Sequence, residues 1–345
     1  MPKPPSPIFH CTKCDAQFPK WAGQCASCEA WGTVTEETQT TEALRPTTAK
    51  SAAKAAATHT FAELVSKTQD QHIPTGLTYW DALLSGGCVP GSVTLLGGEP
   101  GIGKSTVLAQ LGLTIAAQGR SVLYVTGEES PSQVALRLKR LAKDIPPTMS
   151  FLDSTNAEII AATIRAERPA LTIVDSVQSI RLPNVVGEAG NPTQIKAASA
   201  LISEAAKQSK ASVILVGQVT KDGELAGPRL LEHLVDTVLM MEGDRYQSLR
   251  VLRVVKHRFG TTEETAVLAM TSNGLQEVKD PSALLLSNRP KNAAGSVLSC
   301  LMEGSRPLLI EIQALVTTST FATPSRRATG IDPNRLNLIL AVLGR

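Results

Sequence analysis

The sequence predicts an α/β protein with a mainly parallel sheet, preceded by a small N-terminal domain that a metal ion holds together. Three observations support this prediction. Continuously apolar segments alternate with helical segments along the middle of the chain, a pattern typical of a parallel sheet covered on both faces. A glycine-rich loop joins the first of these strands to the helix after it. Four of the six cysteines lie within the first thirty residues.

Composition sets the broad class of the protein. The 345 residues are enough for two or three domains with at least one sizeable core. Hydrophobic residues make up 42% of the chain, an ordinary value for a globular protein. The formal net charge of +3 neither requires nor excludes a nucleic acid partner. No segment has the apolar length of a signal peptide or a membrane span, so we expect a soluble, cytoplasmic protein without a membrane partner.

The N-terminal cysteines form two C-x2-C pairs within "CTKCDAQFPKWAGQCASCEAW". The four candidate ligands are Cys11, Cys14, Cys25 and Cys28. Two such pairs supply four thiolates for a tetrahedral zinc ion, which replaces a core too small to form unaided. Two disulfides, a redox pair and an iron–sulfur site are the alternatives; a cytosolic chain disfavours the first, and the lack of a thioredoxin-like βαβ unit disfavours the second. We therefore predict a structural zinc ribbon over residues 1–34. Its Lys13, Lys20 and Trp21 could contact a partner or a nucleic acid, or Trp21 and Trp31 could pack over the cysteines.

Composition also divides the rest of the chain into segments. Residues 35–62 are rich in Thr and Ala and contain almost no large apolar side chain, so they cannot bury enough surface to offset the entropy of ordering. This composition is typical of a flexible linker. The α/β domain is then expected over residues 63–278, and a further segment over residues 279–345.

The glycine-rich loop has the spacing G-x-x-x-x-G-K-S and lies between a short apolar strand, residues 93–96, and a helical segment that continues to Gly119. Glycines allow backbone N–H groups to surround phosphate oxygens, and the following helix directs its positive end at them. In this context the spacing predicts a nucleotide site, in which Lys104 contacts the terminal phosphates and Ser105 holds Mg²⁺. The predicted ATP-binding residues are Gly98, Glu99, Pro100, Gly101, Ile102, Gly103, Lys104, Ser105 and Thr106.

Polar side chains follow the next apolar strands of the predicted sheet. Glu128 and Glu129 follow "VLYVTG", Asp175 ends "LTIVD", and Gln218 follows "VILVG". The carboxyl ends of parallel strands meet at the edge of the sheet where ligands bind, so these side chains should gather beside the loop. We expect Asp175 to orient Mg²⁺ and its waters, with a helix cap as the alternative. We expect Glu128 to align the attacking water, with Glu129 as a second carboxylate or a neighbour. Gln218 could sense the γ-phosphate and transmit its state to the loop that follows.

The segment "VVKHRFG" ends a further apolar strand with three groups that can carry positive charge, Lys256, His257 and Arg258. Phosphoryl transfer needs positive charge opposite the loop that holds the phosphates. If copies of the chain pack head to tail in a ring or filament, Lys256 and Arg258 could reach the γ-phosphate bound by the neighbouring copy. A surface charge cluster and a direct DNA contact are the alternatives.

Together these motifs resemble the RadA family, also called Sms, of bacterial recombination ATPases, which is related to RecA and to ring-shaped replicative helicases. The resemblance covers nearly the whole chain apart from the linker. The segments that carry it are the cysteine ribbon, the "PTGL" lead-in, the phosphate loop, "TGEES", "IVDSVQ", "VTKDGELAGPRLLEHLVDTVL" and "KHRFG". The family signature at the last segment is Lys-Asn-Arg-Phe-Gly, so His257 stands where asparagine is usual, and Gln218 stands where the family often has histidine. The resemblance implies a RecA-like core for the α/β domain.

The resemblance further implies a DNA-dependent, helicase-like ATPase in a hexameric ring. Such a ring would bind single-stranded DNA in its channel and drive branch migration or strand extension at branched recombination intermediates. Loops near residues 181–194 and 220–229 occupy positions that line the channel in related folds, which makes Lys221 and Arg229 candidate DNA contacts. Recombinases and helicases are the protein partners that this role implies.

The last segment resembles the start of a Lon-protease-like domain, through "GSVLSCLMEGSRPLLIEIQALV" and "RRATGIDPNRLNLILAVLGR". The family usually continues for about a hundred residues beyond this point, one domain's worth, so we expect an incomplete domain. The positions of a Lon-type serine and lysine fall outside the sequence, so we expect no protease activity.

Two other functions are compatible with parts of the sequence. A RecA-like ATPase or kinase that acts on protein partners would use both Glu128 and Glu129 for phosphotransfer. The ribbon and the "KHRFG" segment argue against that function. A non-enzymatic zinc-ribbon adaptor with a vestigial nucleotide fold is the weaker alternative, because every expected catalytic part is present in the sequence.

Overall fold

The structure, a computed structural model, describes residues 8–13, 17–18, 20–26, 28–37, 72–218, 231–243, 249–287, 289, 294–318 and 325–344. The chain divides into two units, Met1–Lys67 and Thr68–Arg345. Most of the predicted linker, residues 38–62, lies outside the described residues, and the domain boundaries stay predictions. Within the described stretches, the structure contains no helix with both the length and the apolar character needed to cross a membrane.

The first unit contains a small antiparallel sheet with the strand order β2-β1-β3. Its strands are β1, Ile8–Cys11; β2, Gln17–Phe18; and β3, Val34–Glu37. The buried residues of this sheet and its loops are Cys11, Cys25 and Val34, with Phe9, Phe18 and Cys28 packed against them. Cysteines make up half of this cluster, so apolar burial alone stabilises the ribbon little and a shared metal ion is required.

The second unit is organised around a sheet whose described strands have the order β12-β11-β10-β9-β4-β8-β7-β5-β6. These strands are β4, Val93–Gly98; β5, Val122–Thr126; β6, Met149–Asp153; β7, Leu171–Asp175; β8, Ser212–Val216; β9, Thr237–Glu242; β10, Leu249–His257; β11, Thr265–Thr271; and β12, Gly274–Glu277. Neighbouring strands from β9 to β6 are parallel, whereas β10, β11 and β12 form an antiparallel extension. The prediction of a mainly parallel α/β sheet is therefore confirmed.

Helices cover both faces of this sheet. The described helices of this unit are α1, Thr78–Leu83; α2, Lys104–Ala117; α3, Pro131–Leu141; α4, Ala157–Glu167; α5, Pro192–Ser209; α6, Pro281–Leu286; and α7, Pro333–Leu343. The cores on the two faces contain buried residues of α1 to α5. Consecutive residues of β4 enter different cores, because side chains alternate along a strand: Leu96 packs in a cluster with Trp80, and Leu95 in a cluster with Ile160. Since both faces are covered, β4, β5 and β8 are buried along their whole length.

A C-terminal hairpin is anchored to the antiparallel extension of the sheet. Its strands are β13, Ser296–Glu303, and β14, Arg306–Gln313. The amide of Ser305, in the hairpin turn, donates to the Glu263 carbonyl at 2.8 Å. Arg253 on β10 forms an ion pair with Glu303, with Nη2 2.7 Å from Oε1. The last predicted helix is present as α7, and none of its described side chains is buried.

Candidate nucleotide-binding site

The phosphate loop joins β4 to α2 as the spacing predicts, with the strand ending at Gly98 and the helix beginning at Lys104. Gly103 precedes the helix with a φ of 119°, and a Cβ at this position would lie 3.0 Å from the terminal methyl carbon of Met270. Both the backbone conformation and the close neighbour therefore require glycine. Ile102 is only 1% exposed and packs into the core beneath the loop. Its side chain anchors the loop to the core.

Lys104 is buried beside the loop and bonds to it. Its Nζ donates to the carbonyls of Gly98 at 2.7 Å and Glu99 at 2.8 Å. Burial lowers the pKa of Lys104, and the nearby carboxylates of Asp175 and Glu128 oppose that shift. The ammonium group is therefore held at the loop by oxygen atoms that a phosphate group could replace.

A buried arginine that the sequence analysis did not single out supports the loop from β10. Arg250 donates from Nε to the Ile102 carbonyl at 3.1 Å and from Nη1 to the Leu249 carbonyl at 2.8 Å. This contact joins the phosphate loop to the antiparallel extension of the sheet. The sequence "LRVLRVV" does not distinguish Arg250 from Arg253, because both arginines alternate with apolar residues in the same way.

A cleft of about 430 Å³ opens beside the loop at the carboxyl ends of the parallel strands. The predicted site residues that line it are Pro100, Gly101, Gly103, Lys104, Ser105, Thr106, Glu128, Asp175 and Gln218. Arg137, Val216 and Met270 also line it. The structure therefore brings the loop together with the side chains predicted at the strand ends, in the crevice where parallel sheets bind ligands.

Glu128 lies at the centre of a small hydrogen-bond network in this cleft. Its Oε1 accepts a short hydrogen bond from the hydroxyl of Ser176 and a longer one, 3.4 Å, from Nε2 of Gln218. The main-chain carbonyl of Gln218 in turn accepts from Nε2 of Gln178 at 3.4 Å. Two strand ends therefore orient one carboxylate, as a group that positions water requires.

Asp175 is held by a tyrosine from the neighbouring strand. The Tyr124 hydroxyl donates to Oδ2 of Asp175 at 2.7 Å. Burial, with the negative charge of Asp175, raises the pKa of Tyr124 well above its ordinary value, so the hydroxyl keeps its proton and remains a donor. This bond fixes one oxygen of the carboxylate in the cleft.

Arg137 is the charged residue of the described cleft lining that the sequence analysis missed. Its Nη1 lies 2.8 Å from Oε2 of Glu129, and its Nη2 donates to the Tyr124 hydroxyl at 3.2 Å and lies 4.0 Å from Oδ2 of Asp175. One signal could have identified it: Arg137 follows Val134 by three positions on α3, so it lies beside the buried stripe of Val134 and Leu138. Glu129 is engaged by this arginine.

Lys256 and Arg258 lie beside the amino-terminal end of β4, whereas the phosphate loop of the same chain follows its carboxyl-terminal end. His257 pairs with Thr237 of β9, which pairs with Thr94 near the start of β4. The loop begins four residues further along β4, at Gly98, or roughly 13 Å at the usual rise of a strand. This "KHRFG" edge, residues 256–260, therefore does not serve the cleft of the same chain.

Each cation at the KHRFG edge has a partner within its own chain. Nζ of Lys256 donates to the carbonyls of Val235, at 2.9 Å, and Glu232. Nη1 of Arg258 lies 3.1 Å from Oδ1 of Asp236, a buried carboxylate, and the Arg258 side chain is 53% exposed. The ion pair with Asp236 therefore holds the Arg258 guanidinium group, which remains about half exposed.

His257 packs inward between these two cations. Its Nδ1 lies 2.9 Å from Oγ1 of Thr237. Burial lowers the pKa of His257, a shift that a backbone hydrogen bond to Leu84 opposes and nearby His72 reinforces. The turn after it requires glycine, because a Cβ on Gly260 would lie 1.8 Å from the hydroxyl oxygen of Ser85.

The zinc ribbon brings together the three of its cysteines that the structure describes. The Sγ atoms of Cys11, Cys25 and Cys28 all lie within 4.8 Å of one another, and those of Cys11 and Cys28 are 3.7 Å apart. Sulfur atoms bound to one tetrahedral zinc at about 2.3 Å are separated by about 3.8 Å, so the cluster fits that ion. The Lys13 amide donates to Sγ of Cys11 at 3.4 Å. Cys14, the predicted fourth ligand, lies outside the described residues.

The candidate DNA contacts Lys221 and Arg229 also lie outside the described residues. The other predicted channel loop is described, and Gln194 at the start of α5 holds it. Oε1 of Gln194 accepts from the Leu182 amide at 2.8 Å, and Nε2 donates to the carbonyls of Val185 and, at 3.1 Å, Gly187. Val186, between them, is 92% exposed.

Comparisons with known proteins support both the N-terminal ribbon and the nucleotide-binding domain. Residues 9–36 match a family described as a rubredoxin metal binding domain, and residues 58–224 match one described as an AAA domain. Three proteins named DNA repair protein RadA are similar to nearly the whole chain. The one from Pseudomonas aeruginosa is 46% identical over 339 residues, covering 98% of this chain and 74% of the relative. Those from Bacillus subtilis and Chlamydia trachomatis are 40% and 44% identical, covering 97% and 96% of this chain and 73% and 72% of the relatives. The chain therefore belongs to the RadA family of DNA repair proteins, as an ATPase that uses ATP and Mg²⁺ and carries a structural zinc ribbon.

Proposed function

We propose that this chain is a DNA-dependent, helicase-like ATPase of the cytoplasm that binds single-stranded DNA in an oligomeric ring. Hydrolysis would drive branch migration or strand extension at branched recombination intermediates, with recombinases or helicases as partners. Relatives named as DNA repair proteins support the process. The observation that carries the ring is the position of Lys256 and Arg258, at the edge opposite their own phosphate loop.

The proposed roles in one cleft begin with phosphate binding. Backbone N–H groups of residues 98–106, Pro100 excepted, would surround the ATP phosphates, and Lys104 would exchange its loop carbonyls for the terminal phosphate oxygens. Ser105 and Asp175 would hold Mg²⁺, which neutralises phosphate charge and aligns the γ-phosphate. Tyr124 keeps one oxygen of Asp175 occupied, which leaves the other oxygen for this role.

Glu128 is proposed to align the attacking water, because the two donors on its Oε1 orient the carboxylate within the cleft. Gln218 is proposed to sense the γ-phosphate. It contacts Glu128 through its side chain and is followed closely in sequence by residues 220–229, to which it is proposed to transmit the state of the phosphate. Lys221 and Arg229, together with residues 181–194, would then be the DNA contacts that respond to nucleotide state.

The cations that face the bound phosphates, Lys256 and Arg258, would come from a neighbouring copy of the chain. In a closed head-to-tail ring, one face of each subunit meets the opposite face of the next. The KHRFG edge of one copy would then meet the cleft of another, and Lys256 and Arg258 would stabilise the charge on the transferred phosphoryl group. In the best-studied NTPases a cation supplied in this way contributes about three to five orders of magnitude in rate.

The proposed domain organisation follows the sequence segments: a ribbon over residues 1–34, a linker over 35–62, an ATPase domain over 63–278 and the start of a Lon-protease-like domain over 279–345. No protease activity is proposed. A kinase acting on proteins would need Glu128 and Glu129 free to act together. The ion pair between Glu129 and Arg137 speaks against that alternative.

Steady-state ATP turnover with and without single-stranded DNA tests this function. We expect turnover to rise on adding DNA, and native mass spectrometry to detect a closed ring. Turnover that is indifferent to single-stranded DNA at saturating concentration would contradict the DNA dependence. Transfer of a labelled γ-phosphate to a protein rather than to water would favour the kinase alternative.

A further inference from the structure

Two tryptophans of the zinc ribbon face outward. Trp21 is 64% exposed and Trp31 is 76% exposed. The ribbon core instead contains the cysteines with Val34, Phe9 and Phe18. The two indole rings therefore do not pack over the cysteines, the alternative that the sequence left open. Large exposed aromatic side chains on so small a domain indicate a binding surface.

A hydrogen bond holds the Trp21 ring, a backbone bridge holds the main chain at Trp31, and both rings lie close to Gly23. Nε1 of Trp21 donates to the Val34 carbonyl at 3.0 Å. Trp31 forms an antiparallel bridge with Gln24. Gly23 lies between the rings: a Cβ there would be 3.8 Å from Cη2 of Trp21 and 3.9 Å from Cζ3 of Trp31. The ribbon backbone thus presents two aromatic surfaces beside a position that has no side chain.

The chemistry around the rings favours a nucleic acid over a protein. Among the ribbon residues whose side chains the structure describes, Trp21 and Trp31 are the large apolar side chains that are exposed, and no large aliphatic side chain is exposed with them. Tryptophans that anchor protein interfaces usually lie in a wider packed apolar patch. Aromatic faces beside cations are instead typical of sites that stack unpaired bases. Lys20, exposed and adjacent to Trp21 in sequence, supplies such a cation.

We propose that Trp21 and Trp31 form a stacking platform for unpaired bases of single-stranded DNA, with Lys20 beside the phosphate backbone. This proposal rests on the proposed function, since it names how the ribbon would take part in binding the same strand. Glu29, an exposed carboxylate two residues before Trp31, would direct the phosphates toward the Lys20 side. The platform is independent of the nucleotide cleft.

Intrinsic fluorescence tests the platform directly, because the chain has three tryptophans and the third, Trp80, is completely buried in the ATPase core. The full chain is titrated, without nucleotide, with a thymidine homo-oligomer and separately with inorganic polyphosphate. We expect the DNA to quench the emission, whereas polyphosphate, which has charge but no bases, leaves it unchanged. A variant with Trp21→Phe and Trp31→Phe retains only Trp80, whose emission should not respond to the DNA.

Affinity gives the second measurement. Trp21→Ala and Trp31→Ala should each weaken binding of the oligomer by about 5- to 150-fold, the range for loss of one base–aromatic stack, and the phenylalanine variants should recover part of it. A zinc content of about one equivalent in every variant shows that the ribbon remains folded. Unquenched emission at saturating DNA, or equal quenching by polyphosphate, would overturn the platform. If wild-type ATP turnover still rises with DNA in that case, the proposed function survives and only the platform fails.

Discussion

Arg258 forms an ion pair with Asp236, with 3.1 Å between Nη1 and Oδ1. The other carboxylate oxygen of Asp236 accepts a hydrogen bond from the Val93 amide at 3.0 Å. Val93 is the first residue of β4, the strand that ends in the phosphate loop. The buried carboxylate of Asp236 thus joins the KHRFG edge to β4. The phosphate loop and the KHRFG edge therefore lie at opposite ends of the same strand.

Binding and chemistry should separate between two variants of the cleft. Lys104→Ala removes a phosphate ligand, so it should weaken ATP binding. Glu128→Gln keeps the shape of the side chain and removes the charge that aligns water, so it should bind ATP while turnover falls by about 10²- to 10⁴-fold. Equilibrium binding of a fluorescent ATP analogue and steady-state turnover measure the two effects. If Glu129→Gln is inactive and Glu128→Gln is not, the water-aligning carboxylate has been assigned to the wrong residue.

The support of the phosphate loop by Arg250 leads to a second prediction. Arg250→Met retains much of the side-chain volume but leaves the Ile102 carbonyl without this donor. Loss of a buried hydrogen bond to a charged group should cost about 1.5–3 kcal/mol of unfolding free energy and should also weaken ATP binding. Arg253→Met on the same strand is the matched control, because its side chain is 38% exposed and its ion pairs are made with Glu242 and Glu303, not with a residue of the loop. Equal loss of ATP affinity in both variants would remove the specific role of Arg250.

The sequence predicted the cleft better than it predicted the parts around it. The loop and the strand-end residues Glu128, Asp175 and Gln218 are recognisable because apolar strands and glycine spacing are local signals, and their meeting point follows from parallel pairing. Arg137 and Arg250 act through contacts with distant segments. The spacing of Arg137 from Val134 is a local signal that places it beside the buried stripe of α3, whereas no local pattern distinguishes Arg250 from Arg253. The edge strand β6 was not identified, because it is only partly buried and lacks the continuous apolar run of its neighbours. Helix α4 was also not identified, although its buried residues Ala157, Ile160, Ala161 and Ile164 have helical spacing.

The zinc site should depend on the ribbon cysteines and on no other cysteine. Protein purified without added metal should contain about one equivalent of zinc, the stoichiometry of a four-thiolate site. Cys11→Ser and Cys14→Ser should each lose it, because one ligand in four is removed. Cys300→Ser is the control, since Cys300 is exposed and lies in the hairpin. Bound iron, or zinc that survives the Cys14 change, would contradict the four-cysteine assignment.

His257 should make the stability of the KHRFG edge depend on pH. Burial lowers its pKa in the folded state, so the unfolded state binds the proton more readily below the ordinary value of 6.5. The unfolding free energy should therefore fall as the pH is lowered from about 6.5, and the loss should be complete below the folded-state pKa. His257→Asn, which removes the titrating group, should flatten this part of the profile measured by urea unfolding. A slope that persists unchanged in the variant would assign the effect to another group, with His72 the nearest.

The proposed trans action of Lys256 can be tested by complementation. Lys256→Ala leaves the phosphate loop of its own chain intact, so the variant should still bind ATP, but its turnover should fall by about three to five orders of magnitude. Mixing it with Glu128→Gln protein should restore some activity. In a mixed ring, a Lys256→Ala subunit supplies an intact Glu128 cleft and a Glu128→Gln neighbour supplies an intact Lys256. With equal, random mixing, about one interface in four combines the two intact halves.

Two controls make the complementation decisive. Lys143→Ala changes an exposed lysine between α3 and β6, an edge strand separated from β10 by five strands of the sheet, and should leave turnover unchanged. Mass spectrometry of differently tagged subunits must establish that the rings are mixed. A direct DNA contact at Lys256 predicts a different outcome: basal turnover would survive the Lys256→Ala change, and only its stimulation by DNA would decrease. Normal basal turnover, together with no recovery in rings known to be mixed, would therefore assign the KHRFG edge to DNA binding and leave the cleft to work within one chain.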